Sequence, residues 1–263
     1  MKKRNLVLSV MATCLVSCFL LSGCNGQKQI DSETVKTVKV EEQAHLQDDT
    51  VSPTCQITID YSYLAKSDAA DSIVQRINRT IQAHILGKEY TRMNPEVAVD
   101  SFKNTYINNY RKDVNEFYQE DIKNGTPKDE LPTWYNYEYG LTTYFSEGKE
   151  GILNFIAETF EYTGGAHPNS WNKWMNFEKN TGKLLALKDV FMAGSEKPIS
   201  DMLLEELITE MATRLENSSI TSLEGLQNAG ILNSTNMYVP DNFLLERKKY
   251  LSCITNMISL PML

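Results

Sequence analysis

Three stretches in the second half of the chain, Trp134–Phe145, Ile152–Tyr162 and Trp171–Phe177, alternate apolar with polar side chains and are rich in aromatic and β-branched residues. A period of two buries one face of an extended strand and solvates the other. The breaks between the stretches are Glu147-Gly148-Lys149 and a glycine pair at Gly164 and Gly165, so successive strands turn back on one another and an antiparallel meander is predicted. Such a sheet needs an apolar cover. Glu196–Leu215 supplies one, with Ile199, Met202, Leu203, Leu207, Met211 and Leu215 at helical spacing and Pro198 in the first turn.

The first half has a different grammar. Thr54–Tyr63 reads as a strand, with Cys55, Ile57, Ile59, Tyr61 and Tyr63 on one side. Ser67–Leu86 carries Ile73, Ile77, Ile81 and Ile85 at a spacing of four with Val74 beside them, which predicts a helix stopping at Gly87. A second helix is predicted over Asn94–Asp121, with Pro95 at its start and Val99, Phe102, Tyr106, Tyr110, Val114 and Phe117 along one stripe. Lys123–Pro127 ends it, and a short helix over Ser222–Ala229 closes the pattern at Gly230. The fold class expected is α+β, a small strand-helix-helix domain followed by an antiparallel sheet domain packed by a long amphipathic helix.

The N-terminus fixes an address. Lys2, Lys3 and Arg4 precede an apolar run from Leu6 to Leu21, too short to span a bilayer comfortably and suited to a signal peptide. Ser22 and Gly23 then lead into Cys24 as in the lipobox of a bacterial lipoprotein, so Cys24 is the expected lipidation site and the membrane, reached through a lipid anchor, the expected attachment. The expected division is 1–23 signal peptide, 24–52 flexible tether, 53–130 small α+β domain and 131–263 sheet-plus-helix domain. Asn25 after the lipidated residue is no evident retention signal, so the outer membrane is preferred over the inner one.

Removing Lys2, Lys3 and Arg4 takes the formal charge from −8 to −11. An acidic body with no basic stripe disfavours nucleic acid as a partner. Beyond the leader and Cys24 only Cys55 and Cys253 remain, either as a disulfide or as free thiols.

Tyr162-Thr163-Gly164-Gly165-Ala166-His167 leaves a strand directly, and fourteen residues after His167 comes Thr181-Gly182-Lys183 within a tight hairpin between Phe177 and Leu184. These motifs, at this spacing and ahead of an amphipathic helix, resemble an extracytoplasmic domain family of largely unknown function. It includes the outer portion of the lysozyme-sensing anti-sigma factor and a region preceding the catalytic domain of some peptidoglycan deacetylases. The resemblance covers Trp134–Leu245, and Thr54–Asp121 looks like the smaller domain that usually precedes it. Pro168 stands where a glycine is common in the family. The resemblance implies a non-catalytic binding or sensing module for a lysozyme-like protein or peptidoglycan, without a cofactor.

The residues themselves offer no assembled chemistry. His167 follows the glycine pair, but His45 lies in the tether and His84 on a helix of isoleucines, so no metal-ligand spacing is visible. A triad of His167 with Ser170 and Asp189 lacks a nucleophile-elbow motif. Glu205 and Glu206 are neighbours on a helix, and Glu158 and Glu161 fall on opposite sides of a strand, so neither pair can act as acid and base. His167 is expected to be a loop residue hydrogen-bonded to backbone carbonyls. Trp134, Tyr135, Tyr137, Tyr139, Trp171 and Trp174 are expected chiefly in the core. The candidate binding loop comprises Tyr162, Gly164, Gly165, His167, Trp171 and Trp174; the alternatives are a hydrolase using the loop around His167 and a structural subunit of an envelope assembly.

The last sixteen or so residues break the pattern. Family members are expected to end in a further strand, whereas Lys248–Leu263 shows no alternation and is rich in rare types, including Cys253, Met257 and Met262. With suitable codons a one-base shift turns Leu251–Met262 into a Tyr-rich, Ala-Pro-Tyr ending of the expected kind, which points to a frameshift near Glu246 and an unprotected sheet edge. Sequencing the gene across Glu246 should reveal that alternative frame; an intact frame with no such downstream reading disproves it.

Overall fold

The computed structural model describes residues 35–65, 71–234 and 238–247. Five strands form one sheet in the order β1-β2-β3-β4-β5, namely β1 (Val35–His45), β2 (Thr54–Leu64), β3 (Tyr137–Glu147), β4 (Ile152–Tyr162) and β5 (Asn169–Glu178). The predicted meander is β3-β4-β5, and β1-β2 is a second antiparallel pair. Parallel pairing of β2 with β3, from Cys55 opposite Tyr137 to Asp60 opposite Thr142, joins the two. The fold is therefore α+β with a mixed sheet.

The structure differs from the expected division in two places. Val35–His45, assigned to the tether over 24–52, is a strand. It escaped notice because an edge strand has one neighbour: Val38, Val40 and Ala44 face inward, but the same face carries Glu42, bound by Lys103 from the helical layer at 2.7 Å. The expected boundary at 130/131 also runs through a continuous sheet, since β2 hydrogen-bonds to β3.

A parallel pair cannot be closed by a tight turn. The connection from β2 to β3 is instead α1 (Asp71–Ile85) and α2 (Pro95–Lys123), which lie on one face of the sheet. Helix α1 buries Ile77 and Ile81 fully and packs Ile73 and Ile85 partly, as their spacing predicts; the expected start at Ser67 falls outside the described residues. Gly87, at φ +131°, ends the turn that follows. Helix α2 is capped by Asn94, whose side chain accepts from the Glu96 N–H at 3.0 Å, with Pro95 next in line. Val99, Tyr110 and Val114 are buried as expected, but Phe117 is 51% exposed and Tyr118 takes the inward place. From Val114 the next inward position is four residues on, so a residue three on drifts off the stripe.

These helices and the strands enclose the main core, which includes Cys55, Ile57, Ile59, Tyr61, Tyr110, Phe155 and Phe177. The thiol of Cys55 is unpaired and buried, which pushes its pKa up to about 12. Cys253, its suggested partner, lies outside the described residues, as do Cys24 and all of Lys248–Leu263.

After β5 the hairpin at Thr181-Gly182 returns the chain so that Leu184 bridges Phe177, as predicted. A single helical turn, α3 (Leu187–Val190), leads to α4 (Glu196–Arg214) and α5 (Leu223–Asn228). One side of α4 places Leu203 against Phe243 and Leu245, and its Leu207 and Met211 form a second cluster with Ile220, Leu226 and Ile231. Met202 and Leu215, expected on the packed stripe, are 69% and 40% exposed.

Residues 242–246 are held on the sheet by side-chain amides. Asn176 donates to the Phe243 carbonyl and accepts from the Leu245 N–H, both at 2.8 Å, and its cross-strand neighbour Asn154 donates to the Leu245 carbonyl at 3.1 Å. At the free edge of β5, Asn242 accepts from the Trp174 N–H at 2.8 Å and donates to the Asn172 carbonyl at 2.9 Å. Asn154 and Asn176 are each 1% exposed, so their partners have no water to turn to. Asn176→Ala strands two buried main-chain groups and should cost about 3 kcal/mol, lowering the melting temperature by about 6–12 °C in a calorimetric scan.

Candidate functional site

The turn from β4 to β5 is built around one glycine. Gly164 adopts φ +81°, and a Cβ placed on it would lie 2.3 Å from the Trp134 carbonyl oxygen. Left-handed backbone and close approach both exclude any other residue. Gly165 is unlike it: a Cβ there meets only the His167 carbonyl, at 3.8 Å.

The surface that Gly164 abuts is itself fixed. Trp134 sits in the 3-10 turn Thr133–Tyr135. Tyr135 is buried and donates its hydroxyl to Asp121 of α2 at 2.7 Å; burial and that carboxylate push its pKa up to about 12. The Trp134 ring lies 4.1 Å from that of Tyr135 and meets Phe117 edge-on at 5.7 Å. Trp134 is 37% exposed, so with Phe117 it forms an aromatic pair open to solvent beside the glycine turn. Phe117 was missed as a surface residue because the helical stripe assigned it inward.

The six residues of the expected binding loop do not form one surface. Tyr162, half-buried, ends β4 opposite Glu138, and Gly165 and His167 are exposed. Trp171 is 45% exposed and lies opposite Thr159, whereas Trp174 is half-buried opposite Ile156. Three residues apart on a strand, the two tryptophans occupy opposite faces of the sheet. Of the wider aromatic set, Tyr135 and Tyr139 are buried and Tyr137 packs against the core, as expected.

The role expected for His167 is corrected. Among the described residues its ring makes no hydrogen bond, and the turn it was thought to brace is held by Gly164 against Trp134. The other histidines are occupied elsewhere, with His45 Nδ1 at the Ser52 carbonyl and His84 Nδ1 at that of Thr80. Asp189 bonds to Lys183 at 2.5 Å and to the Ala186 N–H at 2.9 Å, which hold its carboxyl below the usual range. Glu158 receives the Tyr144 hydroxyl on one face of the sheet and Glu161 receives that of Tyr106 on the helical face, so this pair is split as the strand period requires. Burial, with Glu161 beside it, raises the Tyr106 hydroxyl above its ordinary range. Among the described residues no group of three or more His, Cys, Asp or Glu side chains could hold a metal ion.

Residues 50–170 match the family described as deacetylase PdaC. The chain is thus similar to DUF3298/PdaC-type domains of unknown function. In particular, the chain is similar to the crystal structure of a DUF3298 family member from Bacteroides fragilis NCTC 9343, at 26% identity and a TM-score of 0.69, covering 80% of this chain and 78% of that one. A DUF3298 family protein from Pseudomonas aeruginosa PAO1 aligns at 14% identity and a TM-score of 0.43 over 69% of this chain and 68% of that one. No curated protein matches.

Gly164→Ala should destabilise the fold by at least about 2 kcal/mol, read from urea unfolding, because strain and overlap act together. His167→Ala should stay within about 0.5 kcal/mol of the parent.

Proposed function

We propose that this chain is a bacterial envelope lipoprotein, anchored through Cys24, whose folded part is a non-catalytic binding or sensing module for a lysozyme-like protein or peptidoglycan. The observation that carries the reading is the Trp134–Phe117 pair, which stays open to solvent while its backbone is locked by Gly164 and by the Tyr135–Asp121 hydrogen bond. Rigid aromatic groups on a fixed turn bind at low entropic cost. The acidic charge of the chain supports a cationic partner over an anionic polymer. The sequence resemblance supports the envelope setting, with the outer membrane preferred.

The test is retention of the chain from Asn25 onward on immobilised lysozyme and on purified peptidoglycan, with the affinity for the retained ligand then measured. Trp134→Ala is expected to weaken that affinity by about 2 kcal/mol, or about thirtyfold. Retention on neither ligand, or equal affinity of parent and variant, refutes the assignment.

A further inference from the structure

A cleft of about 240 Å³ lies between α1 and the start of α2. Asn78, Arg79 and Gln82 line it on the α1 side, and Arg92, Asn94 and Pro95 face them. Its walls are held by buried amides. Asn78, 8% exposed, accepts from the Leu64 N–H at 3.0 Å and donates to the Leu64 carbonyl at 2.8 Å. Gln82, 1% exposed, donates to the carbonyls of Tyr90 at 2.8 Å and Met93 at 3.1 Å, fixing the segment that carries Arg92.

Charge sets this cleft apart from the rest of the molecule. Among the described residues no acidic side chain lines it, although acidic residues outnumber basic ones by 34 to 26 in the chain. Among the described residues, no ion pair or hydrogen bond engages the guanidinium of Arg79 or of Arg92. Arg79 and Arg92 are both exposed and both line this concavity, and a planar guanidinium fork matches a carboxylate or phosphate. The space, about 240 Å³, suits a small acid or a terminal group.

We propose that this cleft is a binding site for a compact oxyanion, a carboxylate or phosphate group, with Arg79 and Arg92 as its ligands. It lies at the other end of α2 from Phe117, about 33 Å away at the helical rise per residue, and stands independently of the aromatic site.

Titration of the purified full chain with inorganic phosphate and with acetate, followed by amide NMR, tests the site; N-acetylglucosamine serves as a neutral control. Saturable shifts at Asn78 and Arg92 are expected, with a Kd of about 1 mM for the better anion. Tighter phosphate binding assigns a phosphoryl ligand, and tighter acetate binding a carboxylate. Arg79→Gln and Arg92→Gln should each weaken binding at least about tenfold and together abolish it, whereas Lys112→Gln, an equal change of charge outside the cleft, should leave it unaltered. Saturable binding retained in the double variant, binding lost equally in Lys112→Gln, or no saturation by either anion up to about 50 mM overturns the proposal.

Discussion

The pairing of β2 with β3 in parallel is the constraint from which the rest of the architecture follows. Strands running the same way need a long connection, and here that connection is the pair of helices that covers the sheet. Ile57, Ile59 and Tyr61 of β2 meet Ile77 and Ile81 of α1 and Val99 and Val114 of α2 in one core. The same connection carries Phe117 and Asp121 to the end of β4, where they set the position of Trp134. Topology thus places the aromatic site before any individual contact does.

The opposite face of the sheet depends on a different device. Side-chain amides from neighbouring strands clasp the main chain of residues 242–246. Hydrophobic contacts of Phe243 and Leu245 with Leu203 then attach α4 to the clasp. A buried amide is costly to leave unpaired, so this arrangement selects one register for the returning segment where apolar packing alone would tolerate several.

Much of the fold was legible in the sequence wherever a single face decided burial. The isoleucines of α1, the alternation along the first part of β2 and the Asn94-Pro95 start of α2 each follow from one local rule. What escaped was non-local. Strand β1 has a charged residue, Glu42, on its inward face because Lys103 comes to meet it from α2, and no window of sequence contains that partner. The boundary drawn between β2 and β3 failed for the same reason. At the candidate site, the need for glycine at position 164 was readable from Gly164-Gly165, but which of the two was irreplaceable depended on the Trp134 carbonyl, thirty residues upstream. His167 was the opposite case, a residue conspicuous by type that the fold leaves in solvent.

The outward side chains of edge strand β1 limit what can pair with it. Lys39 and Glu41 stand exposed on its outward face, with Lys39 tied to Asp60 at 2.6 Å, and Lys36 is exposed near its start. A newcomer strand from another molecule would have to lie beside these charges, and fibril-like stacking of copies is opposed on that flank. Crowding many copies side by side on one surface would therefore leave the sheets separate.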